Sequence, residues 1–156
     1  MKTAALAFTL LAAFAACNNG PSSGVTSVPG HGAISVQVIP NPIVATRVSG
    51  NTYDFPFEVV VRETGGRPIN VTRVSADVRF AGGISVAEES WDAARIRSMG
   101  YNTAIPPHGE VRYRFAPRKE VPDDRLFGSV AAELEVEATD DTGAATSART
   151  TVTVTR

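Results

Sequence analysis

The sequence predicts an all-β domain, built as an antiparallel sandwich, that follows an export leader and a flexible tether. From residue 33 onward, apolar residues recur at every second position, which is the period of a β-strand. Clusters of turn-forming residues separate these runs into six to eight strands within about 120 residues. A single stretch, Glu88 to Met99, has the period of a helix and predicts one short helical insert.

Residues 1–17, MKTAALAFTLLAAFAAC, predict a secretory signal peptide. Lys2 precedes an uncharged apolar run from Ala4 to Ala16. The run is too short to span a bilayer as a helix, which needs about 20 apolar residues. It ends in small residues immediately before the one cysteine of the chain. We therefore expect a leader that directs export and is then removed.

The ending Ala15-Ala16-Cys17 resembles the lipobox of bacterial lipoprotein precursors, although Phe14 stands where that motif usually has an aliphatic residue. The resemblance implies a signal peptide of residues 1–16, lipidation of Cys17 and a place in the cell envelope. Asn18 rather than Asp follows the cysteine, which in such proteins favours the outer membrane. Ordinary cleavage after Ala15 is the alternative, but it would leave an exposed free thiol in an exported protein.

The composition is that of one packed domain. Apolar residues make up 43% and charged residues 20% of the chain. Of the 15 Lys and Arg residues only Lys2 lies in the leader, so 14 remain against 16 Asp and Glu, a formal charge of −2. This balance does not predict a nucleic-acid partner, which requires a basic surface. Because Cys17 is the one cysteine, the chain predicts neither an internal disulfide nor a thiolate metal site.

Residues 17–32 predict a flexible tether, because Gly, Ser, Pro and Asn dominate them and their isolated valines form no stripe. The sandwich domain is expected to span residues 33–156. His31 lies between two glycines in the tether, and we expect it to be solvated rather than a metal ligand.

The first half of the domain predicts three strands. Ile34 to Val38 alternates and is followed by Pro40 and Pro42, which predicts an edge strand that kinks or changes sheet. Tyr53 to Glu63 alternates cleanly and predicts one half-buried strand with Pro56 facing outward. Ile69 to Phe80 changes phase midway, so a one-residue bulge near Thr72 and Arg73 is needed to keep both halves on the core.

The second half predicts the helical insert and a closing hairpin. Gly100 follows the insert at the position of a helix C-cap. The chain then predicts a loop over residues 101–109, a strand over residues 111–115 and a charged loop over residues 118–125. Val130 to Ala138 and Ala148 to Val154 alternate on either side of the turn at residues 140–143.

These strands together favour an antiparallel immunoglobulin-like β-sandwich, with a barrel as the alternative. Residues 136–154, VEATDDTGAATSARTTVTV, resemble the closing hairpin of bacterial immunoglobulin-like and fibronectin-like modules. The cysteine pair of antibody domains is absent from the sequence. Trp91 falls in the predicted helical insert, so we do not equate it with the buried tryptophan of those domains.

A row of glutamates marks the outward side of the Val130 to Ala138 strand. If this strand lies between the strand of residues 69–80 and the final strand, Glu133, Glu135 and Glu137 face Arg73, Arg79 and Arg149. The alternative is a charged face that interacts only with solvent.

The sequence predicts no catalytic centre, no cofactor and no metal site. A Ser-His-Asp arrangement would depend on His108 alone, and G-x-S-x-G is absent. Asp140-Asp141 and Asp123-Asp124 could suggest calcium, but D-D-T-G is more often a turn. Trp91, Tyr101 and His108 lie in the longest irregular stretch and are the candidate partner-binding residues. The preferred interpretation of Trp91 is that it plugs the end of the sandwich.

Two functions are therefore expected, neither of them enzymatic. The first is a lipid-anchored binding module that presents a sandwich face or the Glu88 to Gly109 segment to an envelope protein or a glycan. The second is an accessory subunit of an envelope complex, whose edge strand near Ile34 to Val44 pairs with a strand of another protein. In both, Cys17 attaches the protein to the membrane.

Overall fold

The computed structural model describes the protein over residues 30–80 and 83–156. The predicted signal peptide, Cys17 and most of the predicted tether lie outside the described residues. The described part contains twelve strands, one short α-helix (α1, Ala93–Ser98) and a 3₁₀ helix at Asp124–Leu126. The strands are β1 (Ile34–Ile39), β2 (Ile43–Val44), β3 (Thr46–Ser49), β4 (Thr52–Asp54), β5 (Phe57–Glu63), β6 (Ile69–Phe80), β7 (Ser85–Asp92), β8 (Ala104–Ile105), β9 (Glu110–Phe115), β10 (Arg118–Glu120), β11 (Val130–Asp140) and β12 (Ala145–Thr155).

Two sheets, antiparallel except where β2 pairs with β12, form the predicted immunoglobulin-like sandwich. One has the order β1-β5-β9, and the larger has the order β2-β12-β11-β6-β7, with β8 also paired to β6. A small third sheet, β10-β4-β3, lies beside them. Inward residues of both main sheets form one continuous apolar core, which includes Val59, Val61, Val74, Leu134 and Val136. Among the described residues, no helix is long and apolar enough to cross a membrane.

The N-terminal segment changes sheet at the two prolines, as the sequence predicts. Strand β1 pairs with β5 along its whole length and is an edge strand of the smaller main sheet. After Pro40 and Pro42, strand β2 pairs instead with β12, in the one parallel pairing among the described strands. Proline has no backbone N–H to continue a ladder, so the pairing with β5 ends where the prolines begin.

The predicted bulge in β6 is also confirmed. Arg73 lies opposite Glu137 and Val71 lies opposite Ala138, so Thr72 is the extra residue. Val71 and Val74 are both buried although they have opposite parity in the sequence. The bulge therefore keeps the two halves of β6 facing the same core.

The glutamate row faces arginines, as predicted for a strand between β6 and β12. Arg73 lies 2.5 Å from Glu137, and Arg79 lies 3.7 Å from Glu133. On the other side, Arg149 lies 3.0 Å from Glu135 and 3.6 Å from Glu133. These pairs are exposed to solvent, which screens them, so each contributes little to stability.

The predicted strand from Tyr53 to Glu63 is two strands. Pro56 separates β4, which pairs with β10 in the small sheet, from β5, which is central in the smaller main sheet. Val60 is buried although its parity predicts an outward position. It lies between Gln37 and Arg112 on the neighbouring strands, and the aliphatic stems of such long side chains can cover an outward valine.

The predicted helix from Glu88 to Met99 is also shorter than the sequence suggests. Its first half belongs to β7, where Trp91 pairs with Val74 and Glu89 with Ala76. Helix α1 begins only after Asp92, whose side chain accepts a hydrogen bond from Arg95 N–H, and Gly100 follows its C-cap with φ of +87°. Pairing with β6 overrides the helical period of this short segment. The segments predicted as loops likewise contain β8 and β10.

The core position of β11 gives a test of this fold. Leu134 is fully buried between the sheets, so Leu134→Ala should lower the free energy of unfolding by about 2–5 kcal/mol. Urea denaturation followed by circular dichroism measures this loss. The control is Thr151→Ala on the exposed side of β12, which should change stability by less than about 0.5 kcal/mol. Equal effects of the two substitutions would contradict the facing of the β11–β12 ladder.

Candidate functional site

An apolar cavity of about 300 Å³ lies between the larger main sheet and the segment of residues 117–127. Strands β2, β6, β7, β11 and β12 supply one wall, and the smaller main sheet contributes Phe57. The buried residues that line it include Ile43, Phe57, Ala76, Ala132, Leu134 and Val154. No single segment forms this cavity, because strands distant in sequence supply the two walls.

The cavity reaches the surface between β7 and the segment that follows β10. Its exposed lining residues are Val86 and Glu88 on one side and Glu120 and Pro122 on the other. Strand β7 is the last strand of the larger sheet, so no described strand pairs with its outer edge. We refer to this opening, defined by residues 86–89 and 119–122, as the mouth.

The polar groups that line the cavity lie at the mouth. Lys119 Nζ bridges the opening to Glu89, 2.6 Å from Oε2, and Arg95 lies 3.1 Å from Oε1 of the same carboxylate. The hydrogen bond from Lys119, followed by its charge and that of Arg95, holds the pKa of Glu89 below its usual value despite partial burial. The lining also includes Glu88 and Glu120, but Glu88 lies opposite Asp77 on the outward side of the larger sheet, and Glu120 follows Lys119 on the other side of β10.

The 3₁₀ helix closes one end of the cavity and is fixed by Asp124. Tyr53 Oη donates to Asp124 Oδ1 at 2.6 Å, and Arg47 lies 2.5 Å from Oδ2. Arg156 also contacts this carboxylate. The hydrogen bond from Tyr53 is the main reason that the pKa of Asp124 is lowered. Phe127 packs edge-on against the Tyr53 ring at 5.0 Å, so the cavity wall is tied to the small sheet.

Trp91 and Tyr101 lie in one row of aromatic side chains. Trp91 is 3% exposed, and its ring stacks on Phe115 with centroids 4.1 Å apart. Tyr101 is half-buried, packs edge-on against Tyr113, and its hydroxyl accepts a hydrogen bond from Arg114 N–H at 3.2 Å. Trp91 is thus part of the core, as the plug interpretation expects, and only Tyr101 of the two has substantial exposed surface.

His108 lies elsewhere, at a buried carboxylate that the sequence did not reveal. Glu63 is 3% exposed and accepts hydrogen bonds from the backbone N–H groups of Gly65, Gly66 and His108 at 2.6, 2.9 and 2.9 Å. Ala33 N–H lies 3.4 Å away. Burial raises the pKa of Glu63, but the four backbone donors outweigh it, so the pKa lies below its usual value of 4.5. This carboxylate joins three segments of backbone, and its role is structural.

Asp140 plays a similar part at the turn between β11 and β12. Its Oδ1 accepts from Thr142 and Ala144, and Gly32 N–H donates to Oδ2 at 3.0 Å. These hydrogen bonds, that from the Thr142 hydroxyl foremost, hold the pKa of Asp140 well below its usual range. His31 is exposed, as predicted, and its Nδ1 lies 3.5 Å from Asp140 Oδ2, whereas Gly32 is buried. The packed domain therefore already includes the last residues assigned to the tether.

The structure supports the turn interpretation of Asp140-Asp141. Asp140 uses its oxygens on backbone and hydroxyl donors, while Asp124 is held by Tyr53 and two arginines. Within residues 30–80 and 83–156, no group of three or more His, Cys, Asp or Glu side chains could hold a metal ion.

Sequence reasoning missed the cavity, although one signal pointed to it. Ala76, Ala87 and Ala132 are small residues on three neighbouring strands, and all three line the cavity. Alternation placed Ala76 and Ala132 on the core side, but it says nothing about whether the opposite sheet fills the space they leave. A cluster of inward alanines on adjacent strands indicates that the core there can be incompletely filled.

Comparison with known proteins supports the fold alone. No protein-family model matches the sequence, and no curated protein matches it. Among solved structures, target SoR45 of the Northeast Structural Genomics Consortium aligns with a TM-score of 0.52 and 11% identity, over 82% of this chain and 90% of that one. A Bordetella pertussis protein assigned as ApaA aligns with a TM-score of 0.48 and 13% identity, over 87% and 98% of the two chains. A CARDB domain from Pyrococcus furiosus, in complex with di-metal ions, gives a TM-score of 0.39 and 14% identity, over 83% and 93%.

The buried carboxylate of Glu63 leads to a prediction about pH. Glu63→Gln should lower the free energy of unfolding at pH 7 by about 1–3 kcal/mol, because the amide N–H₂ cannot accept from the backbone donors. The folded-state pKa of Glu63 is depressed, so its contribution is present above pH 4.5 and is lost as the pH falls below that value. Urea denaturation at pH 7 and pH 3 should therefore show a smaller difference between variant and wild type at pH 3.

The matched control is Glu120→Gln, since Glu120 is exposed. It should leave stability within about 0.5 kcal/mol of wild type at both pH values. A Glu63→Gln penalty that stays constant or grows on acidification would contradict the assignment of an ionised Glu63 in the fold.

Proposed function

We propose that the protein is a cell-envelope lipoprotein, anchored through Cys17, whose β-sandwich is a non-catalytic binding module. The observation that carries the proposal is the position of the one cysteine, directly after an uncharged apolar leader that ends in small residues. The outer membrane is the favoured location because Asn18 follows Cys17. The described domain supplies a compact body with an accessible cavity, which is consistent with binding.

The end at which the chain enters the domain supports this arrangement. Its N-terminal end is fixed at Gly32, which donates to Asp140 at the end of β11. The cavity is lined by Val130 and Ala132 at the beginning of the same strand. Strand β11 has 11 residues and so extends over about 35 Å. An anchor that joins the domain near Gly32 would therefore leave the cavity at the far end of the sandwich, away from the attachment point.

A second candidate function is that of an accessory subunit that pairs with another envelope protein by its N-terminal edge. Strand β1 is an edge strand, and Ile39, Val44 and Val48 are large apolar residues left exposed along this side of the chain. An extended strand of a partner could add to such an edge, with main-chain hydrogen bonds giving affinity. The proline-flanked β2 and short β3 limit the length of this surface.

The anchor is tested by Cys17→Ser in the native cell. We expect wild-type protein in the detergent phase of a Triton X-114 partition, and mass spectrometry should find a diacylglyceryl group on an N-terminal Cys17. The variant should lose both properties, because Ser lacks the thiol that forms the thioether. Wild-type protein that begins at Met1, or that carries an unmodified Cys17 in the aqueous phase, would contradict the anchor.

The two candidate functions are separated by site-specific photocrosslinking in intact cells. A crosslinking residue at Val86 reports on the mouth, one at Val48 on the N-terminal edge, and one at Thr151 on the outward side of β12 serves as the control. A binding module predicts partners from position 86, and an accessory subunit predicts one defined protein from position 48. The same adducts at position 151 would show that neither surface is specific.

A further inference from the structure

We propose that the cavity binds the alkyl chain of an uncharged amphiphile, which enters between β7 and the segment after β10. The proposal deepens the proposed function by naming a ligand class for the same domain. It concerns residues 30–156 and does not depend on whether Cys17 is lipidated.

The size and lining of the cavity favour an apolar ligand over water. A volume of about 300 Å³ lies at the lower end of the range for ligand pockets, and is far larger than an ordinary packing void. The deep walls are aliphatic and aromatic side chains, including Phe55, Phe57, Val78 and Leu134. A water molecule needs two to four polar partners, and such partners lie only at the mouth.

The mouth offers a path for a chain-shaped ligand. Val86 is exposed at its edge, and the neighbouring Ile84 is 70% exposed. These side chains continue the apolar surface from the cavity toward solvent along the unpaired edge of β7. A methylene chain that runs from the interior past Val86 would bury apolar surface of the ligand and of the protein.

The charges at the mouth select the head group. Lys119 and Arg95 both engage Glu89, at 2.6 and 3.1 Å, so each of these charges already has a partner. A carboxylate head group would compete with Glu89 for these cations, and an ammonium head group would compete with the cations for Glu89. A hydroxyl group carries no charge and can donate to Glu89 beside them.

The experiment uses residues 18–156, which contain the whole described fold, and N-phenyl-1-naphthylamine, an uncharged probe that fluoresces in apolar sites. We expect saturable binding of one probe per chain, with displacement by 1-decanol below its solubility limit. Decanoate and decyltrimethylammonium, below their micelle concentrations, should each displace the probe about tenfold more weakly, because a charged head group competes with the existing ion pairs. Absence of a saturable signal from folded protein would overturn the proposal. Displacement by either ion as strong as that by 1-decanol would overturn the head-group assignment.

Two substitutions on one strand locate the site. Ala132→Phe fills the cavity and should reduce probe affinity at least tenfold, whereas Ala131→Phe, on the outward side of β11, should leave it unchanged. If Ala132→Phe does not fold, as judged by circular dichroism, Val86→Trp at the exposed mouth replaces it and should weaken binding similarly. Affinity unaffected by a folded cavity variant would overturn the site.

The alternative occupant is a peptide strand paired with the free edge of β7. A soluble Lys-Val repeat peptide that displaces the probe, while 1-decanol does not, would overturn the alkyl ligand in favour of a strand. If the wild-type protein is anchored through Cys17 but the probe does not bind, this inference is rejected and the anchor is not. Probe binding by a protein that is not lipidated would reject the anchor alone.

Discussion

The facing of β11 is the constraint on which the rest of the structure depends. This strand pairs with β6 on one side and β12 on the other, so its alternation decides which face of three strands enters the core. The bulge at Thr72 keeps both halves of β6 directed toward the same core, since without it Val71 and Val74 could not both be buried. The outward side then brings glutamates of β11 between arginines of its neighbours.

Two buried carboxylates hold the end of the sandwich where the chain enters the described domain. Glu63 gathers backbone donors from the turn after β5 and from the His108 loop, while Asp140 fixes Gly32 and the β11–β12 turn. Charged acceptors form strong hydrogen bonds with backbone donors, so these two carboxylates tie separate segments of the chain together at this end. At the opposite end, the cavity lies between the larger main sheet and the segment that carries β10 and the 3₁₀ helix.

This asymmetry relates the fold to the proposed function. A domain attached near Gly32 has its well-packed end toward the attachment point, and its cavity and unpaired β7 edge at the other. The salt bridge between Glu89 and Lys119 spans the mouth at that edge. An inward charge on an edge strand also discourages pairing with other chains, so the same pair can keep the edge unpaired while leaving the cavity accessible.

The sequence by itself determined the strand class, the change of sheet at Pro40 and Pro42, the bulge at Thr72 and the glutamate–arginine rows. All of these follow from side-chain parity and from the missing N–H of proline, which are local properties. Only the tertiary structure decided that Trp91 belongs to a strand, that Glu63 is buried on backbone donors and that a cavity lies beside Ala76 and Ala132. These features depend on which segments meet across the sheets, and neither alternation nor composition specifies how well two facing surfaces fill the space between them.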